Sequence, residues 1–151
     1  MMVSPQFGRP HASKPHRDRP AAFGLALRDG KLAVVRITLP DRPPFLDLPG
    51  GAIDPGEGPE QALIREFGEE TGLVITVGQE VTRASQYFLT RHDEPVNNRC
   101  IVFEVQIVSE APGLKVEQDH ELVWVSPDHA LATLRQEAHA WGVAAWLRSR
   151  T

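Results

Sequence analysis

The sequence predicts an α+β fold in which helices cover a β-sheet on both sides, as an α/β/α sandwich. Three observations support this class: apolar runs of strand length recur along the chain, an amphipathic helical segment interrupts them, and a helical segment ends the chain. The 151 residues suit one domain, and the balance of 41% hydrophobic to 24% charged residues is that of a globular protein.

The first twenty residues differ in composition from the rest. Residues 1–20 are rich in Pro, His and Arg, lack periodicity and carry a net charge of +3, so we expect an irregular basic extension. Residues 21–151, the predicted domain, carry −7, and this acidic body disfavours binding to long nucleic acid. Because ordering the extension costs conformational entropy, we expect it to pack against the acidic body or across a two-fold interface.

Cysteine content and hydropathy indicate the compartment. Cys100 is the single cysteine, which excludes an intramolecular disulfide and suits a reducing environment. No apolar run reaches the roughly 18 residues that span a bilayer, and the N-terminus lacks the apolar core of a secretory signal. We therefore expect a cytoplasmic protein without membrane association.

Strand and turn signals fill the segment that ends at residue 51. Apolar runs at 21–27 and 31–37 are joined by Arg28-Asp29-Gly30, and the Asp-Gly pair predicts a hairpin. A Pro-rich loop, a short strand at 45–48 and a Gly-rich turn at 49–51 follow.

Helix and strand signals alternate in the rest of the chain. A helix is predicted over roughly Pro59 to Thr71, because Pro is favoured in the first turn and Gly72 stops the helix. Strands are predicted at 73–81, 84–90, 98–108 and 121–125, with a polar hairpin tip formed by His92, Asp93 and Glu94. From Pro127 we expect one or two helices whose apolar faces are supplied by Leu131, Leu134, Ala138, Trp141, Val143, Ala144 and Trp146.

Three glutamates on the predicted central helix point to a metal site. Glu66, Glu69 and Glu70 stand at i, i+3 and i+4, so their carboxylates share one face. Their mutual repulsion costs stability unless a cation compensates it, and Mg²⁺ and Mn²⁺ prefer oxygen ligands. In isolation this pattern is more often a solvated acidic face. The adjoining apolar face, expected in the core, comprises Leu63, Ile64 and Phe67.

The loop before the helix favours the metal interpretation. Gly50 and Gly51 allow the backbone to approach a metal or a phosphate closely, and Gly56 relieves a tight turn. Arg65 lies four residues before Glu69, where it can pair with that carboxylate and hold it in place.

The segment from residue 51 to residue 73 resembles the signature of the Nudix hydrolases, G-x5-E-x7-R-E-U-x-E-E-x-G-U, in which U is a bulky apolar residue. The chain supplies every required position: Gly51, Glu57, Arg65, Glu66, Phe67, Glu69, Glu70, Gly72 and Leu73. A chance match at one start position is on the order of one in a billion at average composition. Phe67 is bulkier than the usual residue at its position.

This resemblance implies a Nudix-type α/β/α sandwich with a mixed β-sheet. It implies hydrolysis of a phosphoanhydride bond in a nucleoside-diphosphate-linked substrate, with Mg²⁺ or Mn²⁺ as the cofactor. Many proteins of this kind are dimers, so a homodimer is a possible assembly.

The resemblance also implies residue roles. The implied metal site consists of Glu69 and Glu70, a backbone carbonyl of Gly50 or Gly51, and Glu66, which is either a further ligand or the base that deprotonates water. Glu57 and Arg65 are implied to brace the loop and the helix.

Residues that contact the substrate are less defined by the sequence. Family members often add an acidic ligand or base from a loop beyond the signature, for which we favour Glu117 or Glu121 over Asp119 and His120. Arg36, at the end of a predicted strand, is a candidate for phosphate contact, with edge exposure as the alternative. Two strand aromatics could stack a base or belong to the core: Tyr87 and Phe88.

Three functional interpretations remain open. We expect a pyrophosphohydrolase of nucleoside triphosphates or modified nucleotides. The second is an ADP-ribose or nucleotide-sugar pyrophosphatase. The third is a nucleotide sensor without catalysis, which the intact glutamate set disfavours because a sensor does not need every metal ligand.

Overall fold

The computed structural model describes residues 4–150, so residues 1–3 of the expected extension and residue 151 lie outside the described part. The strands are β1 (Gln6–Phe7), β2 (Arg17–Leu25), β3 (Leu27–Arg28), β4 (Lys31–Ile37), β5 (Phe45–Asp47), β6 (Gly50–Ala52), β7 (Leu73–Leu89), β8 (Pro95–Glu110) and β9 (His120–Val125). The helices are α1 (Pro59–Thr71), α2 (Pro127–Thr133) and α3 (Glu137–Ser149).

Two sheets form the centre of the fold. The five-stranded sheet has the order β1-β7-β8-β2-β6 and is mixed, because β1 is parallel to β7 and β2 is parallel to β8 while the other pairs are antiparallel. In the second sheet, β4 pairs antiparallel with β3, β5 and β9. The predicted α+β class with a mixed sheet is confirmed.

Two apolar clusters place the helices on opposite sides of the sheets. Leu32 and Val34 of β4 pack with α2 and α3, whereas the intervening Ala33 packs with Leu63 and Phe67 of α1. Alternate residues of a strand face opposite sides of the sheet, so α1 covers one side and the C-terminal helices cover the other. This arrangement is the expected α/β/α layering.

The N-terminal extension is more regular than the sequence predicts. Strand β2 begins at Arg17, four residues before the predicted domain boundary, and β1 pairs with β7 at Ser85 and Gln86. Charged and Pro side chains at 17–20 hide the strand pattern, while the backbone pairs in parallel with β8. The extension packs against the body in part, since the side-chain amides of Gln6 and Asn97 exchange hydrogen bonds of 2.9 and 3.1 Å.

Several boundaries and faces differ from their predictions. The strands predicted at 73–81 and 84–90 form the single strand β7, whose pairing with β8 contains register irregularities between Val74 and Thr82. Ile64 is 43% exposed, because it lies about 100° around the helix from buried Leu63. The C-terminal helices leave part of their predicted apolar faces exposed: Leu131, Trp141 and Ala144.

The hairpin and central-helix predictions are confirmed. Asp29 and Gly30 both have positive φ, 53° and 76°, as a tight two-residue hairpin turn requires. Helix α1 spans the predicted residues and ends at Gly72, whose φ is 75°. Within residues 4–150, no helix is both long and apolar enough to cross a membrane. The cytoplasmic location and the homodimer stay predictions.

Buried His139 connects α3 to the loop before β6. Its Nδ1 accepts a hydrogen bond of 3.1 Å from the Leu48 N–H, and its ring lies 4.2 Å from the ring of Phe23. Burial lowers the pKa of His139 to about 4, so the imidazole is neutral at pH 7. Because Nδ1 accepts, the remaining proton is on Nε2.

We expect this histidine to make the fold sensitive to mild acid. In the unfolded chain the pKa of His139 returns to about 6.5, so below that pH the unfolded state binds a proton that the folded state does not bind. The contribution of His139 to the free energy of unfolding should fall by about 2 kcal/mol between pH 7 and pH 5. Urea unfolding of the wild type and of His139→Gln across this range measures the difference in slope. The exposed His129 gives the control His129→Gln, which should keep the wild-type slope; the same slope in all three proteins contradicts the assignment.

Candidate active site

Helix α1 carries the acidic residues and is anchored at its first turn and along one side. At its start, the Gly58 N–H donates a hydrogen bond of 2.9 Å to the side-chain oxygen of Gln61. Leu63 and Phe67 are fully buried and anchor one side of the helix. The remaining side carries the three glutamates, of which Glu70 accepts a hydrogen bond from the Gly50 N–H and Glu66 lies beside Gly51.

Glu70 is the most enclosed of the three. It is 6% exposed, its Oε1 accepts a hydrogen bond of 2.9 Å from the Gly50 N–H, and its Oε2 lies 3.3 Å from Nε2 of His120. Burial raises the pKa of Glu70 to about 7 against the opposing effects of His120 and the Gly50 N–H. A cation beside this carboxylate would offset the desolvation of its charged form.

The two glycines are required by close contacts. Gly50 has a φ of 141°, and a Cβ built there would lie 2.1 Å from the carbonyl oxygen of Ala22. A Cβ on Gly51 would lie 2.9 Å from the carboxyl carbon of Glu66. Any larger residue at either position would therefore displace the loop or the glutamate.

Arg65 holds the acidic residues together. Its guanidinium donates to both carboxylate oxygens of Glu57 at 2.8 and 2.9 Å, to Glu66 at 3.0 Å and to Glu69 at 3.3 Å. The hydrogen bonds from Arg65 lower the pKa of Glu57 to about 2. Burial raises the pKa of Glu66, with Arg65 opposing the shift. One cation thus arranges three carboxylates that would otherwise repel one another.

The structure brings together the residues of the signature and separates two other candidates from them. The backbone N–H of Glu117 donates to the carbonyl oxygen of Glu69 at 3.0 Å, so the acidic loop docks on the last turns of α1. Arg36 and Glu121 instead form an exposed ion pair of 2.9 Å. Val35 and Ile37, which flank Arg36 on β4, line a cleft beside the acidic cluster. Arg36 therefore belongs to the opposite face of β4.

His120 contacts Glu70 of the site, whereas the neighbouring Glu121, which we favoured from the sequence, points away from it. Its Nδ1 lies 2.7 Å from Asp119, which also pairs with Arg91. Burial disfavours charge on His120, but Glu70 and Asp119 outweigh that effect and raise its pKa to about 9. Ligand atoms of Glu117, Asp119 and His120 lie within 4.8 Å of one another and could also hold a cation. Successive side chains of strand β9 point to opposite faces, so His120 and Glu121 lie on different sides of the sheet. One sequence does not define which of the two faces the glutamates.

A cleft of about 860 Å³ opens beside the acidic cluster, which is the size of a ligand pocket. Its lining includes Gly50, Gly51, Glu66 and Glu70 at one part. The remaining lining includes basic, aromatic and buried polar side chains: Arg17, Arg19, Arg42, Arg91, Arg135, Phe23, Phe45, Phe88, Asp47, Asn98 and Gln136. Of the two aromatic candidates from the sequence, Phe88 lines this cleft and Tyr87 lies instead against His16.

We expect Arg65→Lys to loosen the acidic cluster. A lysine presents one compact ammonium, which cannot replace the guanidinium contacts to Glu57, Glu66 and Glu69 at once. The free energy of unfolding should fall by about 1–2 kcal/mol, measured by urea denaturation. The control Arg83→Lys changes an exposed pair with Glu80 and should cost less than about 0.5 kcal/mol. Equal losses in the two variants would show that Arg65 has no special role.

Comparisons with known proteins show which proteins the chain is similar to. A family model described as the NUDIX domain matches residues 18–147. The CTP pyrophosphohydrolase of Escherichia coli (strain K12) is 33% identical over 106 residues, which cover 69% of this chain and 73% of that protein. A putative 8-oxo-dGTP diphosphatase of Bacillus subtilis (strain 168) is 62% identical over 38 residues, or 25% of this chain and 26% of the relative.

Solved structures share the fold. The MutT protein from Methanosarcina mazei Go1 superposes with a TM-score of 0.71 at 23% identity, covering 92% of this chain and 99% of that one. A NUDIX hydrolase from Nitrosomonas europaea gives a TM-score of 0.71 at 22% identity, covering 88% and 90% of the two chains.

Proposed function

The chain belongs to the NUDIX domain family, and from this premise we propose that it is a Mg²⁺-dependent pyrophosphohydrolase of nucleoside triphosphates, including modified ones. The observation that carries the proposal is the cluster of three glutamates on α1: Glu66 and Glu70 line a nucleotide-sized cleft, and Arg65 donates hydrogen bonds to Glu66 and Glu69. The names of two relatives, which refer to CTP and to 8-oxo-dGTP, support triphosphates as the substrate class.

The residues present fit a divalent cation. The donors are carboxylates and backbone carbonyls, which are the hard oxygen ligands that Mg²⁺ and Mn²⁺ prefer. Gly51 leaves room beside the Glu66 carboxylate that a Cβ would fill. We assign Glu66, Glu69, Glu70 and a carbonyl of Gly50 or Gly51 to such an ion, with Glu117 as a further acidic group.

The chain's own groups account for the other requirements of hydrolysis. A bound Mg²⁺ would neutralise phosphate charge and lower the pKa of a coordinated water. As the alternative to binding the ion, Glu66 would accept a proton as water attacks phosphorus and the bond to the bridging oxygen breaks. Arg17 and Arg91 line the same cleft and are suited to binding the phosphate oxygens. Their charge also offsets repulsion between the substrate and the glutamates.

We expect hydrolysis to depend on the two adjacent glutamates of α1. A Glu69→Gln, Glu70→Gln double variant keeps size and hydrogen bonding but removes two charges, so Mg²⁺ binding should weaken sharply in isothermal titration. Turnover of CTP and 8-oxo-dGTP, measured as released pyrophosphate with and without Mg²⁺, should fall at least 100-fold.

The control for this experiment is Glu60→Gln, an exposed glutamate in the first turn of the same helix. It should bind Mg²⁺ and hydrolyse nucleotides as the wild type does. Unchanged Mg²⁺ binding in the double variant would contradict the ligand assignment. Turnover of ADP-ribose or a nucleotide sugar in place of every triphosphate would contradict the substrate class.

A further inference from the structure

Asn98 of β8 is a buried polar side chain whose hydrogen bonding is incomplete. It is 1% exposed and lines the cleft, and its Oδ1 accepts no hydrogen bond within residues 4–150. Its Nδ2 donates to Oε1 of Gln136 at 3.4 Å, a long contact that holds the amide weakly. A buried acceptor without a donor costs about 1–3 kcal/mol, so a ligand that supplies the donor would recover that free energy on binding.

A second buried polar atom without a partner lies on the strand next to Asn98. Arg19 of β2 is the cross-strand partner of Asn98, and its Nε is likewise buried and unpaired in the described part of the chain. The two side chains line the cleft together without bonding to each other. They therefore present an acceptor next to a donor, which matches the edge of a nucleobase that offers a donor next to an acceptor.

The surroundings of Asn98 suit a flat aromatic group. The guanidinium of Arg135 lies 3.8 Å from the ring centre of Phe45, and the guanidinium of Arg19 lies 5.6 Å from that of Phe88. Arg135 is fixed by Asp47 at 2.7 Å, so its planar face is held in the cleft wall. Planar cations and rings of this kind stack on nucleobases.

The lining of the cleft includes both the amides of Asn98 and Gln136 and the carboxylates of Glu66 and Glu70, so one ligand can contact both groups. A nucleotide carries its base and its terminal phosphates at opposite ends. Phosphates at the glutamates would therefore place the base toward Asn98 and Gln136.

We propose that Asn98 determines base specificity by accepting a hydrogen bond from an exocyclic amino group of the substrate's base. An amino group projects from the ring and reaches a recessed acceptor. The ring N–H of uracil or hypoxanthine does not project from the ring, and the carbonyl beside it projects farther, so this N–H reaches a recessed acceptor less closely than an amino group does. The proposal rests on the nucleotide hydrolysis proposed above and adds to it the class of base.

Pairs of nucleotides that differ by one amino group test this proposal. They are dGTP and dITP, CTP and its analogue without the 4-amino group, and ATP and purine riboside triphosphate. Hydrolysis with Mg²⁺ gives kcat/KM for each, and calorimetry with Ca²⁺ in place of Mg²⁺ measures binding separately from turnover. In the wild type, the substrate with the highest kcat/KM should carry the amino group. Its kcat/KM should be at least tenfold higher than that of its partner without the amino group.

Variants of two adjacent asparagines locate the effect. Asn98→Leu should reduce the ratio of kcat/KM within a pair to less than about threefold, mainly by slowing hydrolysis of the nucleotide that carries the amino group. Asn98→Asp keeps an acceptor and should retain the preference for the amino group. Asn97→Leu is the matched control, because Asn97 bonds to Gln6 and is not part of the cleft lining. It should keep the wild-type preference.

Each outcome has a distinct meaning. Turnover with no amino preference in the wild type overturns the role of Asn98 and leaves the hydrolase function intact. Amino-selective binding without turnover supports Asn98 and overturns the hydrolase function. If no nucleotide binds, both are wrong. If Asn98→Leu does not fold, a wild type without amino preference still overturns the proposal.

Discussion

The arrangement of the site depends on the contacts that Arg65 makes with carboxylates from the loop and from its own helix. Without a cation at this point, Glu57, Glu66 and Glu69 would repel one another and pull the loop away from α1. Arg65 also donates to the carbonyl oxygen of Ala52 at 3.3 Å, which ties the end of β6 to the helix. The planar guanidinium can make these contacts because its five N–H groups point in fixed directions.

The loop with Gly50 and Gly51 is held from both sides of the sandwich. On the α1 side, Glu70 accepts from the Gly50 N–H, and on the α3 side, His139 accepts from the Leu48 N–H. Both acceptors are buried, so each bond is protected from water and each residue has a pKa shifted by burial. Packing of the two outer layers therefore determines where the backbone of the loop lies relative to the glutamates.

The sequence was most informative where chemistry and local structure coincide. Residues 51–73 run from β6 through one loop and helix α1 to the start of β7, so helical periodicity alone places the glutamates on a common side and Arg65 next to Glu69. Strand β2 was predicted to begin at residue 21 because pairing of 17–20 with β8 is a long-range interaction that Pro and Arg side chains do not reveal. The same limit applies to Arg36, since its face depends on the register of β4 with β5 and β9.

Residues of the cleft beyond the signature come from separate parts of the chain. Asn98 lies on β8, and Gln136 precedes α3, so only tertiary packing brings them together. His120 lay among the sequence candidates, but its approach to Glu70 depends on how β9 pairs with β4. Buried polar residues within strands were a usable signal, because an uncharged amide in an apolar strand needs a partner.

Diffraction from crystals grown with Mn²⁺ and a non-hydrolysable triphosphate analogue tests the central claim most directly. The anomalous signal of Mn²⁺ should lie within about 2.5 Å of carboxylate oxygens of Glu66, Glu69 or Glu70 and of a carbonyl of Gly50 or Gly51. The phosphates of the analogue should contact the same ion. An ion held only by Glu117, Asp119 and His120, or triphosphate bound away from the α1 glutamates, would contradict the account.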